Sequence, residues 1–116
     1  MIDLQASLRE LRKEFNSIAS AVLSRDGLMI AADIPDDIMA DTFTIMCATM
    51  MGAASTAHSE LKIGQPKTMR VLSEKFEMII VGAGTRAIVV SVVPHGCNID
   101  SLLEKVNSIV DSVSES

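Results

Sequence analysis

Two side chains that could support metal binding or thiol chemistry lie close together in the last third of the chain. His95 and Cys97 share the segment Pro94-His95-Gly96-Cys97, and Asp100 follows three residues later. An imidazole, a thiolate and a carboxylate brought together could bind a metal ion or activate a thiol. The spacing matches no metal or thiol motif, so the favoured interpretation is a loop histidine and an inert thiol near a helix start.

Two other segments resemble chemical sites but are better explained by structure. Residues 82–86, GAGTR, resemble part of a phosphate-binding loop, which must lead from a strand into a helix. Here the loop leads into another strand, so a hairpin turn is predicted. Asp36 and Asp37, with Asp33 nearby, could form an acid pair or a cation site, but adjacent acids are typical of a helix start. No cofactor or metal is therefore predicted.

The composition predicts one well-packed domain over residues 1–116. Hydrophobic residues make up 48% of the 116 residues and charged residues 22%. A net charge of −5 and the absence of Tyr and Trp disfavour a nucleic-acid partner. The charged, amphipathic N-terminus is unlike a signal peptide, and residues 42–59 are too rich in Thr, Ser and Ala for membrane insertion. We expect a cytoplasmic protein, with Cys47 and Cys97 reduced and at least partly buried.

The hydrophobic pattern predicts three helices and five strands. Leu4, Leu8, Leu11 and Phe15 form one stripe of an opening helix. Arg25-Asp26-Gly27 joins two short strands, because an Asp-Gly step favours a hairpin turn. The predicted elements after that first helix are strands 18–24 and 28–33, a helix over about 37–63, strands 68–73, 76–81 and 87–93, and a final helix capped by Asn98.

The last strand determines the fold class. Residues 87–93, AIVVSVV, are apolar at odd and even positions alike, which is typical of a central strand buried on both faces. Helices must therefore cover both faces of the sheet. The sequence predicts an α/β (α+β) domain of order αββαβββα, with a five-stranded antiparallel sheet between helices.

The middle helix has no charged residue between Asp41 and Glu60, so we expect a second chain to cover part of it. Its predicted core stripe is Met39, Phe43, Met46, Met50, Ala53, Ala57 and Leu61. Met51 is predicted to face away from that core, towards a partner. The small residues Ala48, Gly52, Ser55 and Thr56 lie on the same side and would allow close approach of another backbone.

These patterns together resemble the Roadblock/dynein light-chain family, whose fold is profilin-like. The resemblance covers about residues 4–113. It is carried by the element order, the hairpin SAVLSRDGLMIAA with Arg25-Asp26-Gly27-Leu28 at its turn, the helix exit at 61–66 and the Asn98-Ile99 helix entry.

The resemblance implies a non-enzymatic module that forms a homodimer or pairs with a related Roadblock subunit. It also implies binding or regulation of a small Ras-like GTPase, as by bacterial polarity regulators and Ragulator subunits, or a role as a dynein light chain. In such dimers the middle helix packs beside its mate and the third strand pairs with its counterpart. The predicted interface is Ile45, Ala48, Thr49, Met51, Gly52, Ser55, Thr56, Thr68, Met69, Arg70, Val71 and Leu72.

A second hypothesis places a small-ligand sensor on the same fold, with His95 and Cys97 in a pocket near the last helix. No set of residues in the sequence supports an enzymatic function.

Overall fold

The chain folds into the predicted order of three helices and five strands. A computed structural model describes residues 3–114. The elements are α1 Leu4–Phe15, β1 Ala19–Ser24, β2 Met29–Asp33, α2 Ala40–Leu61, β3 Thr68–Leu72, β4 Phe76–Ala83, β5 Ala87–Pro94 and α3 Ile99–Ser114.

The five strands form one antiparallel sheet in the order β2-β1-β5-β4-β3. β5 is the central strand, and its residues from Ala87 to Val93 are all buried. α1 and α3 pack on one face of the sheet, and α2 packs on the other. The predicted fold class is confirmed, and so is the two-sided burial of β5.

The face covered by α1 and α3 contains the larger core. Leu8 and Leu11 of α1, which belong to the predicted stripe, are buried here together with Leu102, Val106 and Ile109 of α3. Asn98 caps α3, because its Oδ1 accepts a hydrogen bond of 3.1 Å from the Ser101 amide.

Three buried serine hydroxyls interrupt this hydrophobic arrangement. Ser20 on β1 and Ser91 on β5 are paired across the sheet, with their Oγ atoms 2.9 Å apart. Ser17 lies 2.7 Å from the first hydroxyl and 3.1 Å from the second, and it donates to the Ala19 carbonyl. Each buried hydroxyl therefore has partners, as burial of a polar group requires.

The β1–β2 turn is fixed by glycine for two reasons. Gly27 has φ +93°, a conformation that residues with a Cβ rarely adopt. A Cβ at this position would also lie 3.0 Å from the Cα of Ile45 in α2. The turn is thus pressed against the backbone of α2, and it sets the distance between that helix and the sheet.

The ends of α2 differ from the prediction. The helix begins at Ala40 rather than near residue 37, and its N-cap residue, Met39, makes no side-chain hydrogen bond to the helix. Asp36 and Asp37 lie exposed in the preceding turn, so they do not cap α2. The helix ends at Leu61 rather than near residue 63, and Lys62 adopts the left-handed capping conformation.

The rotation of α2 about its axis also differs from the prediction. Its buried side chains are Thr44, Cys47, Ala48 and Met51. The predicted core residues Met39, Met46 and Leu61 are exposed, and Met51, predicted to face away from the core, is only 1% exposed. α2 lies closest to β1, and mostly small side chains fill this narrow contact. Apolar periodicity alone could not identify the buried face of α2, because every face of the uncharged segment is apolar or only weakly polar.

The close contact at Gly27 predicts a difference between two glycine substitutions. Gly64 has φ +89°, and a Cβ there would meet nothing within 4 Å. We expect Gly64→Ala to cost about 1–2 kcal/mol of unfolding free energy through backbone strain alone. Gly27→Ala should cost roughly 1–3 kcal/mol more, because the added methyl overpacks the contact with Ile45. Urea denaturation of both variants measures this difference, and equal losses would show that the contact is not tight.

Candidate partner surface and adjacent cavities

The two sides of α2 face opposite halves of the sheet. On one side, Ile45 contacts Gly27 in the β1–β2 turn. The other side faces the β4–β3 half, where Phe43 and Met50 of α2 pack against the same core cluster as Met69 and Met78. Because β2 and β3 are the two edges of the sheet, each side of the helix points towards a different edge.

The side of α2 that faces β3 carries a continuous apolar surface. Met39 is 76% exposed, Met46 50% and Leu61 69%. Their helical spacing places them on one stripe with the half-buried Phe43 and Met50. We call this surface the α2–β3 strip: the N-cap residue Met39, then Phe43, Met46, Met50, Ala53, Ala57 and Leu61 of α2, together with Met69 and Val71 of β3. It contains no charged residue.

β3 forms the edge of the sheet beside this strip. Within the described chain it pairs only with β4, so its outer side presents backbone N–H and C=O groups. Its side chains are exposed except for that of Met69, which is half-buried. An open edge with neighbouring exposed apolar side chains is a ready site for pairing with another strand.

An ion pair anchors this edge strand to the sheet. Arg70 of β3 pairs through its Nε with the carboxylate of Glu77 on β4, and Glu77 is buried. This hydrogen bond raises the pKa of Arg70, whose guanidinium is charged at physiological pH with or without Glu77. Arg70 and Glu77 lie on the face of α1 and α3, because their neighbours Ile79 and Val93 belong to that core. The ion pair therefore lies on the sheet face opposite the α2–β3 strip.

The structure distributes the predicted interface residues over three locations. Ala48 and Met51 are buried within the chain, so their assignment to a partner surface is wrong: they pack on the sheet. The β3 residues lie at the open edge, as the family resemblance implied. The remaining predicted residues of α2 are Ile45, Thr49, Gly52, Ser55 and Thr56, which lie outside the α2–β3 strip; all are exposed except for the half-buried Ser55, and their contact with a partner stays a prediction.

His95 and Cys97 line a shallow cavity of about 520 Å³ with residues from the end of α1 and the start of α3. His95 is exposed and Cys97 half-buried. Burial, reinforced by the negative charge of Glu77, raises the pKa of the Cys97 thiol. Within residues 3–114, no three His, Cys, Asp or Glu side chains come close enough to hold a metal ion.

A second cavity, of about 500 Å³, lies where the two hairpin turns approach α2. Arg25 comes from the β1–β2 turn, Gly84 and Thr85 from the β4–β5 turn, and Gly52 and Ser55 from α2. The sequence patterns do not indicate this cavity, because each turn alone is typical of a simple connection between two strands. A signal was present, since antiparallel pairing of β1 and β4 with β5 places both turns at the same end of the sheet.

In the described part of the chain, no helix is both long and apolar enough to cross a bilayer.

These features define a class: a small α+β domain in which, within the described residues, each edge of the sheet has one strand partner and the helix surface beside the β3 edge is uncovered. The model of the Roadblock/LC7 domain family matches residues 4–92. The chain belongs to the Roadblock/LC7 family.

Relatives and solved structures agree with this assignment. An uncharacterized protein of Methanocaldococcus jannaschii is 30% identical over 83 residues, which cover 72% of this chain and 73% of that protein. MglB of Myxococcus xanthus superposes with a TM-score of 0.88 at 12% identity, covering 97% of this chain and 92% of MglB. A Roadblock/LC7 domain from Streptomyces avermitilis gives a TM-score of 0.87 at 18% identity, covering 97% and 95%. At these identities the superpositions show a shared fold.

The environments of the two thiols predict a difference in reactivity. Cys47 is 0% exposed. Burial raises its pKa to about 11. At pH 8 we expect a thiol reagent to modify Cys97 slowly and to leave Cys47 intact unless the chain unfolds. Mass spectrometry of labelled native and urea-unfolded protein measures this, with Cys97→Ser as the control; rapid labelling of Cys47 in folded Cys97→Ser protein would contradict it.

Proposed function

We propose that the chain is a dimeric regulatory module that binds a small Ras-like GTPase in the cytoplasm. The open β3 edge beside the uncharged α2–β3 strip is the observation that supports a dimer. A two-fold axis at this edge would pair β3 with the β3 strand of a second copy and bring the two strips together. Such pairing satisfies the unpaired backbone groups of both edges.

The exposures favour the β3-facing side of α2 over the side predicted from sequence. On the opposite side, Ile45 already contacts the turn at Gly27, and Ser55 lines a cavity. On the β3-facing side, several large apolar side chains lie next to an unpaired strand. One partner could therefore cover the strip and complete the sheet at the same time.

Family membership supports the regulatory role. Roadblock-family proteins act at the family level as regulatory modules rather than as enzymes, and we propose the same for this chain. The uncharged strip offers no arginine that could reach a bound nucleotide. If the module stimulates GTP hydrolysis, it acts by positioning the GTPase's own switch residues. A dynein-light-chain-like adaptor remains the alternative role on the same fold.

Two neighbouring residues of α2 test which side forms the dimer. Ile45 and Met46 are 47% and 50% exposed and lie about 100° apart around the helix axis, Ile45 towards the β1–β2 turn and Met46 on the α2–β3 strip. We expect Met46→Asp to weaken the dimer at least about tenfold, because burying an unpaired charge costs several kcal/mol. Ile45→Asp should leave the dimer intact. Analytical ultracentrifugation across a dilution series gives both dissociation constants, and circular dichroism verifies folding.

The converse result would assign the interface to the other side of the helix. Dissociation by Ile45→Asp, with Met46→Asp still dimeric, would support the surface predicted from sequence. A wild-type protein that is monomeric at micromolar concentration would remove the dimer from the proposal altogether.

Binding to a GTPase is tested with purified Ras-like GTPases from the same organism. We expect the dimer to bind one nucleotide state of the GTPase at least about tenfold more tightly than the other, because a regulator must distinguish the two states. Calorimetry with the GDP form and with a non-hydrolysable GTP analogue measures both affinities. An intact dimer that binds neither form would contradict the GTPase proposal while leaving the dimer proposal standing.

A further inference from the structure

The cavity between the two hairpin turns and α2 contains an incompletely hydrogen-bonded cation. Nη2 of Arg25 donates a 2.8 Å hydrogen bond to the Gly84 carbonyl, which holds the guanidinium across the end of the sheet. Nε of the same side chain is buried and has no hydrogen-bond partner. Because this N–H has almost no accessible surface, it does not face the open cavity; Arg25 lines that cavity, and its guanidinium has further N–H groups that can donate to a bound acceptor.

The sheet leaves space for this guanidinium. Gly82 lies beneath it on β4, and a Cβ at that position would be 2.9 Å from Nη2 of Arg25. The Arg25 amide also donates to the Arg86 carbonyl, so the β1–β2 turn is tied to the β4–β5 turn beside the cavity. The cation is therefore held between two connected turns rather than extended into solvent.

The rest of the lining is mainly apolar, with a few neutral hydrogen-bonding groups. Met51 and Ile88 form apolar wall, and Ser55, Gln65 and Thr85 offer a hydroxyl, an amide and a second hydroxyl. Of the described residues around the cavity, Arg25 alone is charged. A volume of about 500 Å³ falls within the usual range for small-molecule sites.

We propose that this cavity binds a small organic monocarboxylate with an apolar body. The carboxylate accepts hydrogen bonds from the Nη groups of Arg25, and the apolar body contacts Met51 and Ile88. A single cation matches a single negative charge; a nucleotide phosphate would carry more charge than this lining can neutralise.

The proposed site is independent of the proposed dimer. The cavity lies on the side of α2 that faces the β1–β2 turn, whereas the α2–β3 strip lies on the opposite side. A ligand bound here would bridge both hairpin turns and α2, so its binding stabilises their arrangement. Failure of either proposal leaves the other intact.

Three probes of equal chain length test the site: hexanoate, hexanol and hexylammonium. We expect saturable hexanoate binding, detected by chemical-shift changes of the Gly52, Gly84 and Ile88 amides in ¹⁵N-labelled protein. Hexanoate should bind about tenfold more tightly than hexanol, as one charge-assisted hydrogen bond provides. Hexylammonium should bind most weakly. Absence of saturable hexanoate binding, or equal affinity for hexanoate and hexanol, would overturn the proposal.

Two variants separate the role of the cation from that of the cavity. Arg25→Met should remove the preference for hexanoate over hexanol while retaining hexanol binding. Gly52→Leu places a side chain where an added Cβ meets nothing within 4 Å, so it should fold normally and reduce binding of all three probes at least about tenfold by occupying space. An unchanged hexanoate preference in folded Arg25→Met, or unchanged binding in folded Gly52→Leu, would place the probes elsewhere and overturn the assignment.

Discussion

The width of the sheet is the constraint on which the rest of this structure depends. Five strands spaced about 4.8 Å apart place the outer two about 19 Å from each other, whereas one helix is about 10 Å across. Two helices, α1 and α3, match that width on one face, and α2 alone packs on the other. β5 is buried on both sides because it lies at the centre, but the β3 edge and the adjacent side of α2 remain uncovered. The open surface thus follows from an unequal number of helices on the two faces.

Sequence predicted most of this architecture because strands and turns have strong local signals. The Asp-Gly step, the doubly apolar β5 and the capping Asn98 each report a local requirement that tertiary packing did not override. The rotation of α2 could not be predicted in the same way. Which face of α2 is buried depends on how closely the helix approaches β1. Because residues 42–59 carry no charge, the sequence alone allows several faces to be buried.

The cavity was hidden from sequence reasoning for a different reason. Its lining comes from segments that are distant along the chain, and Arg25 is an unremarkable turn residue until Gly82 and Gly84 are brought beside it. Hydrophobic periodicity indicates which face of a single helix or strand is buried, whereas a cavity forms only where several elements meet. The His95–Cys97 pair is a contrasting case, because the fold places these two neighbours in sequence at one cavity, but that cavity is shallow and His95 is exposed.

The buried serine cluster has a consequence for how the strands find their alignment. Because β5 is apolar at almost every position, sliding it by one or two residues against β1 would still bury hydrophobic surface on both faces. Ser20 and Ser91 stand directly opposite each other only in the native alignment, where they meet each other and Ser17. Any slip would leave buried hydroxyls without partners. These three small polar groups therefore specify the register of β5, because hydrophobic burial alone would allow this strand to shift.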